Sequence, residues 1–487
     1  MDLAAVEPSF LSLLPALVAI ALAFATRQVV PALFLGIVTG GIVQGIQTGD
    51  LHRANIISEF FLPALGSPGY AKVLLIYLWS LGGLLGLWEK TGGALHFARV
   101  VGARVARGPR SSMVFAWVLG CVFHQGGTVS TVLAGTTVKP VADRHRISHE
   151  ELSYIVDSTA SPVATIIPFN AWPAYVAALV AGSIPLIPDA STGTAWFLAS
   201  IPYNFYAIFA VLGTLLLALG WLPWIGGKMG RARTRARDTG ALDAPGASPM
   251  LPSRDPGIDP ENARATGYAP SLLDFFVPIG TLIGVAVIPY MLGRMGVLKD
   301  GDWINEAFLL SVLAAMTVAF VHGMSLPDII DGFIEGCRSM TIGAIILGLA
   351  VTIGLVTKQL HSADYLVGLM GGSFPAIALP GVLTALCMFI AFASGTSWGT
   401  YAVVFPVAMP LAYAVNPDPA YLHICFGAVL GGAVFGDQCS PISDTTLLSS
   451  MFTGCDLMDH VSTQLPLALV AATLGAAAST LAVVLLD

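Results

Sequence analysis

The sequence predicts an all-α polytopic membrane protein made of two inverted structural repeats. About ten transmembrane helices are expected, with two re-entrant hairpins and broken helices. Three observations carry that prediction. The chain of 487 residues is 55% hydrophobic and only 10% charged, where soluble domains average about 25% charged. Apolar runs long enough to cross a bilayer recur along the whole length. The two halves of the chain resemble each other in order. The apolar runs are continuous rather than alternating, which argues against a β-barrel.

In chain order, apolar segments lie near 10–26, 29–46, 71–89, 113–141, 151–182 and 196–223. After a polar stretch they resume near 271–292, 304–321, 340–358, 376–413, 419–454 and 464–486. The first run has no basic flank of the kind a cleaved signal carries, so it reads as a retained span. The six cysteines fall in or beside apolar runs without a CxxC pair. They read as small buried residues, not as disulfides or a zinc site. The polar stretch reads as a flexible loop. The organisation is therefore residues 1–225 as the first repeat, 226–270 as a cytoplasmic loop and 271–487 as the second repeat.

Basic residues set the orientation. Arg99, Arg104, Arg107 and Arg110 precede the 113–141 segment, and Lys139, Arg144 and Arg146 follow it. Lys228, Arg231, Arg233, Arg235 and Arg237 open the central loop. If all three clusters are cytoplasmic, 113–141 enters and leaves on one side. It is then a re-entrant hairpin turning near Gly126 and Gly127; the alternative is one long tilted span. The loop at 183–195 lacks Lys and Arg, as an external loop should.

The internal likeness keeps its order. PSFLSLLP at 8–15 parallels PSLLDFFVP at 270–278, and GLWEK at 86–90 parallels GLVTK at 354–358. FHQGGTVST at 123–131 parallels FASGTSWGT at 392–400. DSTASPVAT at 157–165 parallels DQCSPISDT at 437–445. With one cytoplasmic loop between them, the halves would enter the membrane from opposite sides, as in many secondary transporters.

The densest polar chemistry is FGDQCSPISDTT at 435–446, which holds Asp437, Ser440, Ser443, Asp444 and Thr445 around Pro441. A carboxylate inside hydrocarbon costs several kcal/mol unless something pairs with it. The proline interrupts the helix and frees backbone carbonyls. Carboxylates, hydroxyls and carbonyls are the ligands of a hard cation. Burial disfavours a carboxylate's charge, so the same group can hold a proton instead. The first half supplies a pseudo-symmetric set: Asp157, Ser158, Ser161 and Thr165, with Asn170 and Trp172 beyond. Asp437, Asp444 and Asp157 are the candidate sodium ligands. The glycine-rich tips add Gly126, Gly127 and Thr128 in one half and Gly395, Thr396 and Ser397 in the other. Half-helix N-termini at such tips favour negative charge.

FGDQCSPISDTTLLSS at 435–450, together with SGTSWGT at 394–400, resembles the NhaC family of sodium/proton antiporters. The resemblance covers nearly the whole chain. It implies exchange of sodium for protons across a prokaryotic plasma membrane, with Asp437 and Asp444 in the ion site. The first half departs from the family's repeated GDxxSPxSDTT pattern: Val156 stands for the glycine and Thr165 for the second aspartate. The resemblance also implies branches that move organic anions, such as malate against lactate.

Plainer readings stand beside these. Each aspartate can be structural, satisfied by local hydroxyls. His124 reads equally as a proton relay or as a buried hydrogen-bonded histidine. Lys139 and Lys358 read as snorkelling to interfaces. The expected function is sodium/proton antiport by alternating access. Its rival is a sodium- or proton-coupled carrier of a small organic anion or amino acid. An intramembrane enzyme fits less well, because both acids of the motif lie on one segment. No GxxxxGK[ST] loop is present, so ATP is not the driver. The expected partners are the lipid bilayer, Na+, H+ and, for the rival, a small organic solute. No nucleic acid and no bound cofactor are expected, and a homodimer is compatible with the sequence.

Overall fold

The computed structural model describes residues 7–26, 28–124, 127–222, 227–249, 267–295, 297, 303–362, 364–365 and 375–486. Among these residues there is no β-strand. Among the described residues six helices are long and apolar enough to cross a membrane, or seven if one bent pair counts as a single span. In chain order the helices are α1 (Leu14–Thr26), α2 (Val29–Thr48), α3 (Trp79–Thr91), α4 (Gly93–Val105) and α5 (Pro109–Val122). Next come α6 (Gly127–Arg144), α7 (His149–Ser158), α8 (Trp172–Val180), α9 (Ala190–Ser200) and α10 (Phe205–Leu219). The linker contributes α11 (Gly227–Thr239). The second half holds α12 (Leu273–Arg294), α13 (Ile304–Val321), α14 (Leu326–Ser339), α15 (Thr341–Gln359) and α16 (Leu379–Ser394). It closes with α17 (Ser397–Val415), α18 (Pro419–Cys439), α19 (Asp444–Thr453) and α20 (Leu457–Val484).

The basic residues gather at one end of the bundle. Arg110, at the start of α5, lies against Gly220 at the end of α10. Lys139 near the end of α6, His149 at the start of α7 and Gly454 at the end of α19 lie together. The α5–α6 pair therefore leaves and returns to this basic end. Its tip lies beside the motif, because a Cβ on Gly127 would stand 3.2 Å from Thr445 and 3.7 Å from Ser161. That is the hairpin geometry expected for 113–141. Gly126 lies outside the described residues.

A second pair, α16 and α17, turns at Gly395 and has both outer ends at the opposite face. Tyr421, in the first turn of α18, hydrogen-bonds the Ala376 carbonyl just before α16. Gly395 closes α16 with φ +68°, a left-handed conformation that glycine adopts freely. Its missing side chain also admits the Ile442 carbonyl, 2.8 Å from where a Cβ would stand.

Two further spans are interrupted. One runs through α7, a break at 159–171 and α8; the other runs through α18, a break at 440–443 and α19. Pro162 and Pro441 sit in the breaks, where a missing N–H costs the helix least. Every residue of α7 and nearly all of α18 is buried, which suits helices walled by other helices rather than lipid.

The polar linker is more ordered than a flexible loop. Residues 227–239 form α11, with Met229, Ala232 and Ala236 buried at i, i+3 and i+7. That spacing is an amphipathic helix whose apolar stripe is short and whose polar face is arginine-rich. The arginines find buried carboxylate partners that lie far away in the chain. Residues 250–266 of the expected loop lie outside the described residues.

Candidate functional site

The two breaks and the tip of the α16–α17 hairpin meet at one carboxylate. Asp437 is 4% exposed. Its Oδ2 accepts from Ser161 Oγ at 2.9 Å and Ser397 Oγ at 2.7 Å. Its Oδ1 accepts from Ser443 Oγ at 2.7 Å. Each serine comes from a different segment: the first break, the N-terminus of α17 and the second break. Thr445 extends the cradle through Ser443, 3.2 Å away. Among the described residues, no Lys or Arg touches Asp437. The cradle therefore offers one carboxylate and several hydroxyl oxygens with no protein cation to balance them, a ligand set for a small hard ion.

Asp157 occupies a second pocket. Its Oδ2 accepts from Thr446 Oγ1 at 3.2 Å, from Gln464 Nε2 at 2.9 Å and lies 3.1 Å from His460 Nε2. Thr446 also donates to the Gln438 carbonyl, and Gln438 Nε2 donates to Ser158. The two pockets thus adjoin through the 437–438 backbone. Thr446, His460 and Gln464 were not singled out in the sequence. Thr446 stood inside the motif, but α20 gave only an apolar run with a lone histidine and glutamine.

The other expected residues divide between site and scaffold. Asp444 is the first residue of α19, after its N-cap Ser443, and its Oδ1 accepts from Thr445 N at 2.8 Å. The chain packs densely around it, yet its side chain reaches accessible surface and makes no hydrogen bond to the Asp437 cradle. Ser440 donates to the Phe392 carbonyl and ties the break to the hairpin. Thr165 accepts from Asn204 Nδ2 at 2.8 Å and so joins the first break to the start of α10. Asn170 holds that break in shape: its amide donates to the Ala164 and Ile167 carbonyls and its oxygen receives Trp172 N. Thr396 is the N-cap of α17, receiving Gly399 N. Thr128 lies in the first turn of α6. His124 lies at the α5 end of the first hairpin, with Nδ1 2.9 Å from the Cys121 carbonyl. Trp398 packs between Trp172 and Tyr175, and its carbonyl accepts the Tyr175 hydroxyl.

Beyond Trp398, toward the end opposite the basic one, α8, α15 and α17 enclose a cavity of about 600 Å³. Pro406, Pro410, Ser183 and Lys358 are among its walls.

At the basic end α11 is clasped to the first turn of α7. Arg233 Nε donates to Glu151 at 2.6 Å and Arg235 Nη2 to Glu150 at 2.8 Å. His149 stands between Asp243 at 2.7 Å and Asp143 at 3.0 Å, with Lys139 beside it. Burial opposes charge on His149, but the two aspartates outweigh it and raise its pKa above the ordinary 6.5.

Among the described residues, two interrupted spans and two hairpins of a helical bundle meet at a buried carboxylate, an architecture of secondary transporters, and the family matches make the protein a transporter rather than an enzyme. Residues 163–483 match the Na+/H+ antiporter family. The chain belongs to that family. It is 30% identical to an uncharacterised Haemophilus influenzae protein, over 97% of this chain and 91% of the relative. It is 28% identical to the Bacillus subtilis malate-2H+/Na+-lactate antiporter, over 34% of this chain and 35% of that one. Its fold is similar to that of the Alcanivorax borkumensis YdaH transporter, with a TM-score of 0.51, 14% identity and coverage of 86% and 88%.

Proposed function

We propose that the protein exchanges Na+ for H+ across a bacterial inner membrane, with the basic end cytoplasmic and Asp437 as the shared site. The observation that carries this is the Asp437 cradle: three serine hydroxyls from three segments around one buried carboxylate. A charged carboxylate closed in this way needs a cation or a proton. Only one of them occupies it at a time, so carrying either across and returning with the other is antiport. The segments that hold the ion are the ones whose relative movement would open it to either side. Their arrangement as inverted repeats is part of this reading. The basic residues at one end support the orientation.

A second reading is coupled carriage of a small organic anion. The cavity walled by Lys358 favours it: the side chain is exposed there, among apolar residues and the polar Ser67, Tyr70, His361 and Asp364, and makes no ion pair among the described residues. One experiment separates the two. Purified protein is placed in liposomes with a trapped pH dye, and sodium is added without any organic solute. Prompt proton movement, lost in Asp437→Asn, is expected. No movement with sodium, lithium or potassium, but sodium-dependent uptake of an organic acid, would establish the second reading instead.

A further inference from the structure

The Asp157 pocket is not explained by the Asp437 cradle. All three of its hydrogen-bond contacts converge on Oδ2. The other oxygen, Oδ1, is buried without a partner. Two more buried oxygens nearby are also unpartnered: Gln464 Oε1 and Ser153 Oγ. The Gln464 amide nitrogen donates to Asp157 Oδ2 and to the Gln438 carbonyl, which fixes its oxygen within a few ångström of the carboxylate. Ser153 lies one turn before Asp157 on α7, so both side chains share one face. Asp157, Ser153, His460 and Gln464 are fully buried.

His460 approaches the carboxylate through Nε2, on the same oxygen as the other contacts. Its Nε2 lies 3.1 Å from both Asp157 Oδ2 and Ser449 Oγ, while Nδ1 is buried without a partner. Asp157 thus keeps its contacts on one oxygen, while Oδ1, Ser153 Oγ on the same helix face and Gln464 Oε1 are all buried oxygens without a partner. A water molecule can donate to two of those acceptors but brings no charge. A monovalent cation satisfies the oxygens and the charge together.

We propose that Asp157 Oδ1, Ser153 Oγ and Gln464 Oε1 form a second site for a sodium-sized cation, separate from Asp437, with His460 holding the carboxylate from behind. This rests on the antiporter reading and adds an ion to it. The site is built between α7 and α20, so the occupying ion ties the last helix to the broken span that carries Ser161.

The test is a count of bound ions. Full-length protein in detergent is titrated with radiolabelled sodium by equilibrium dialysis, with lithium as competitor. The wild type is expected to hold two sodium ions per chain. Gln464→Leu and Ser153→Ala are each expected to hold one, and Gln464→Glu, which keeps an oxygen ligand, to hold two. Asp437→Asn is expected to hold one, still sensitive to Gln464→Leu. The paired variants guard against misfolding, since Ser153→Ala removes only a hydroxyl. One ion per chain in the wild type, lost in Asp437→Asn and indifferent to Gln464→Leu and Ser153→Ala, overturns the second site and leaves the antiporter reading intact. Failure of sodium-driven proton movement, with the Gln464-sensitive ion still bound, overturns the exchange reading and leaves the site.

Discussion

Ser161 and Ser397 lie in opposite halves of the chain and donate to the same atom, Oδ2 of Asp437, at 2.9 and 2.7 Å. The halves therefore meet at one oxygen. A hydrogen bond to a charged group contributes about 1.5–3 kcal/mol, and about 1.4 kcal/mol is tenfold in affinity. Ser161→Ala and Ser397→Ala are each expected to raise the half-saturating sodium concentration about tenfold, read from proton movement in liposomes across a sodium titration. Ser440→Ala is the control, because its hydroxyl is directed at the Phe392 carbonyl instead. A shift in Ser440→Ala as large as in the other two would remove the cradle from the ion site.

Gly395 holds the hairpin tip against the second break. Gly395→Ala places a methyl group 2.8 Å from the Ile442 carbonyl at φ +68°. Strain of this kind costs about 1–3 kcal/mol. A lower melting temperature in detergent and reduced transport are expected. Gly381→Ala, on the same helix with nothing within 4 Å of the new methyl, is expected to melt like the wild type or slightly higher. Equal melting of both variants would show that the tip tolerates rearrangement.

The sequence exposed the spans, the first hairpin and the motif, because hydropathy, arginine clusters and proline breaks are local signals. It also placed Asp437, Ser161, Ser397 and Ser443 among the candidate site residues, since each stands in a polar interruption of an apolar run. It did not distinguish Asp437 in a cradle from Asp444 at a helix N-terminus. That difference depends on which serines other segments bring, and the spacing of the two acids is silent about it. His460 and Gln464 share one face of α20, four residues apart, but nothing local to that helix shows that Asp157, about 300 residues earlier, packs against it. The helix at 227–239 was hidden by its charge: Arg233 and Arg235 look solvated until Glu150 and Glu151, about 80 residues earlier, come to meet them.

His149 gives the linker a pH dependence. Burial lowers its pKa in the folded protein, but the hydrogen bonds it donates to Asp143 and Asp243 outweigh burial and the nearby Lys139 and hold the pKa above 6.5. A group with a raised folded pKa contributes stability that is fully present below the unfolded value and is lost as pH rises through the folded one. Docking of 227–243 on α7 is therefore expected to loosen as pH rises above about 6.5. Hydrogen exchange of backbone amides in that segment, corrected for the intrinsic rate, should quicken with pH. His149→Gln should flatten the profile, and a profile unchanged by that substitution would exclude His149 as its cause.

The Arg233–Glu151 pair sets the strength of the same attachment. Both side chains are nearly buried, the contact is 2.6 Å, and Arg233 also donates to the Leu222 carbonyl. Removing one member of a buried pair costs about 3–5 kcal/mol, because the other charge is left without a partner. Replacing both by uncharged residues of similar volume costs much less, since neither charge then has to be desolvated. Arg233→Met is therefore expected to expose the linker to trypsin at Arg231 and Arg237, and Glu151→Gln to do the same. The double variant Arg233→Met, Glu151→Gln is expected to be more resistant than either single one. If the double variant is cleaved as fast as the sum of the singles implies, the two charges do not interact and α11 is held by the Arg235–Glu150 pair and by Met229, Ala232 and Ala236. Because α7 carries Asp157 eight residues above His149, about 12 Å along the helix, linker detachment in the single variants should also change the sodium dependence of transport.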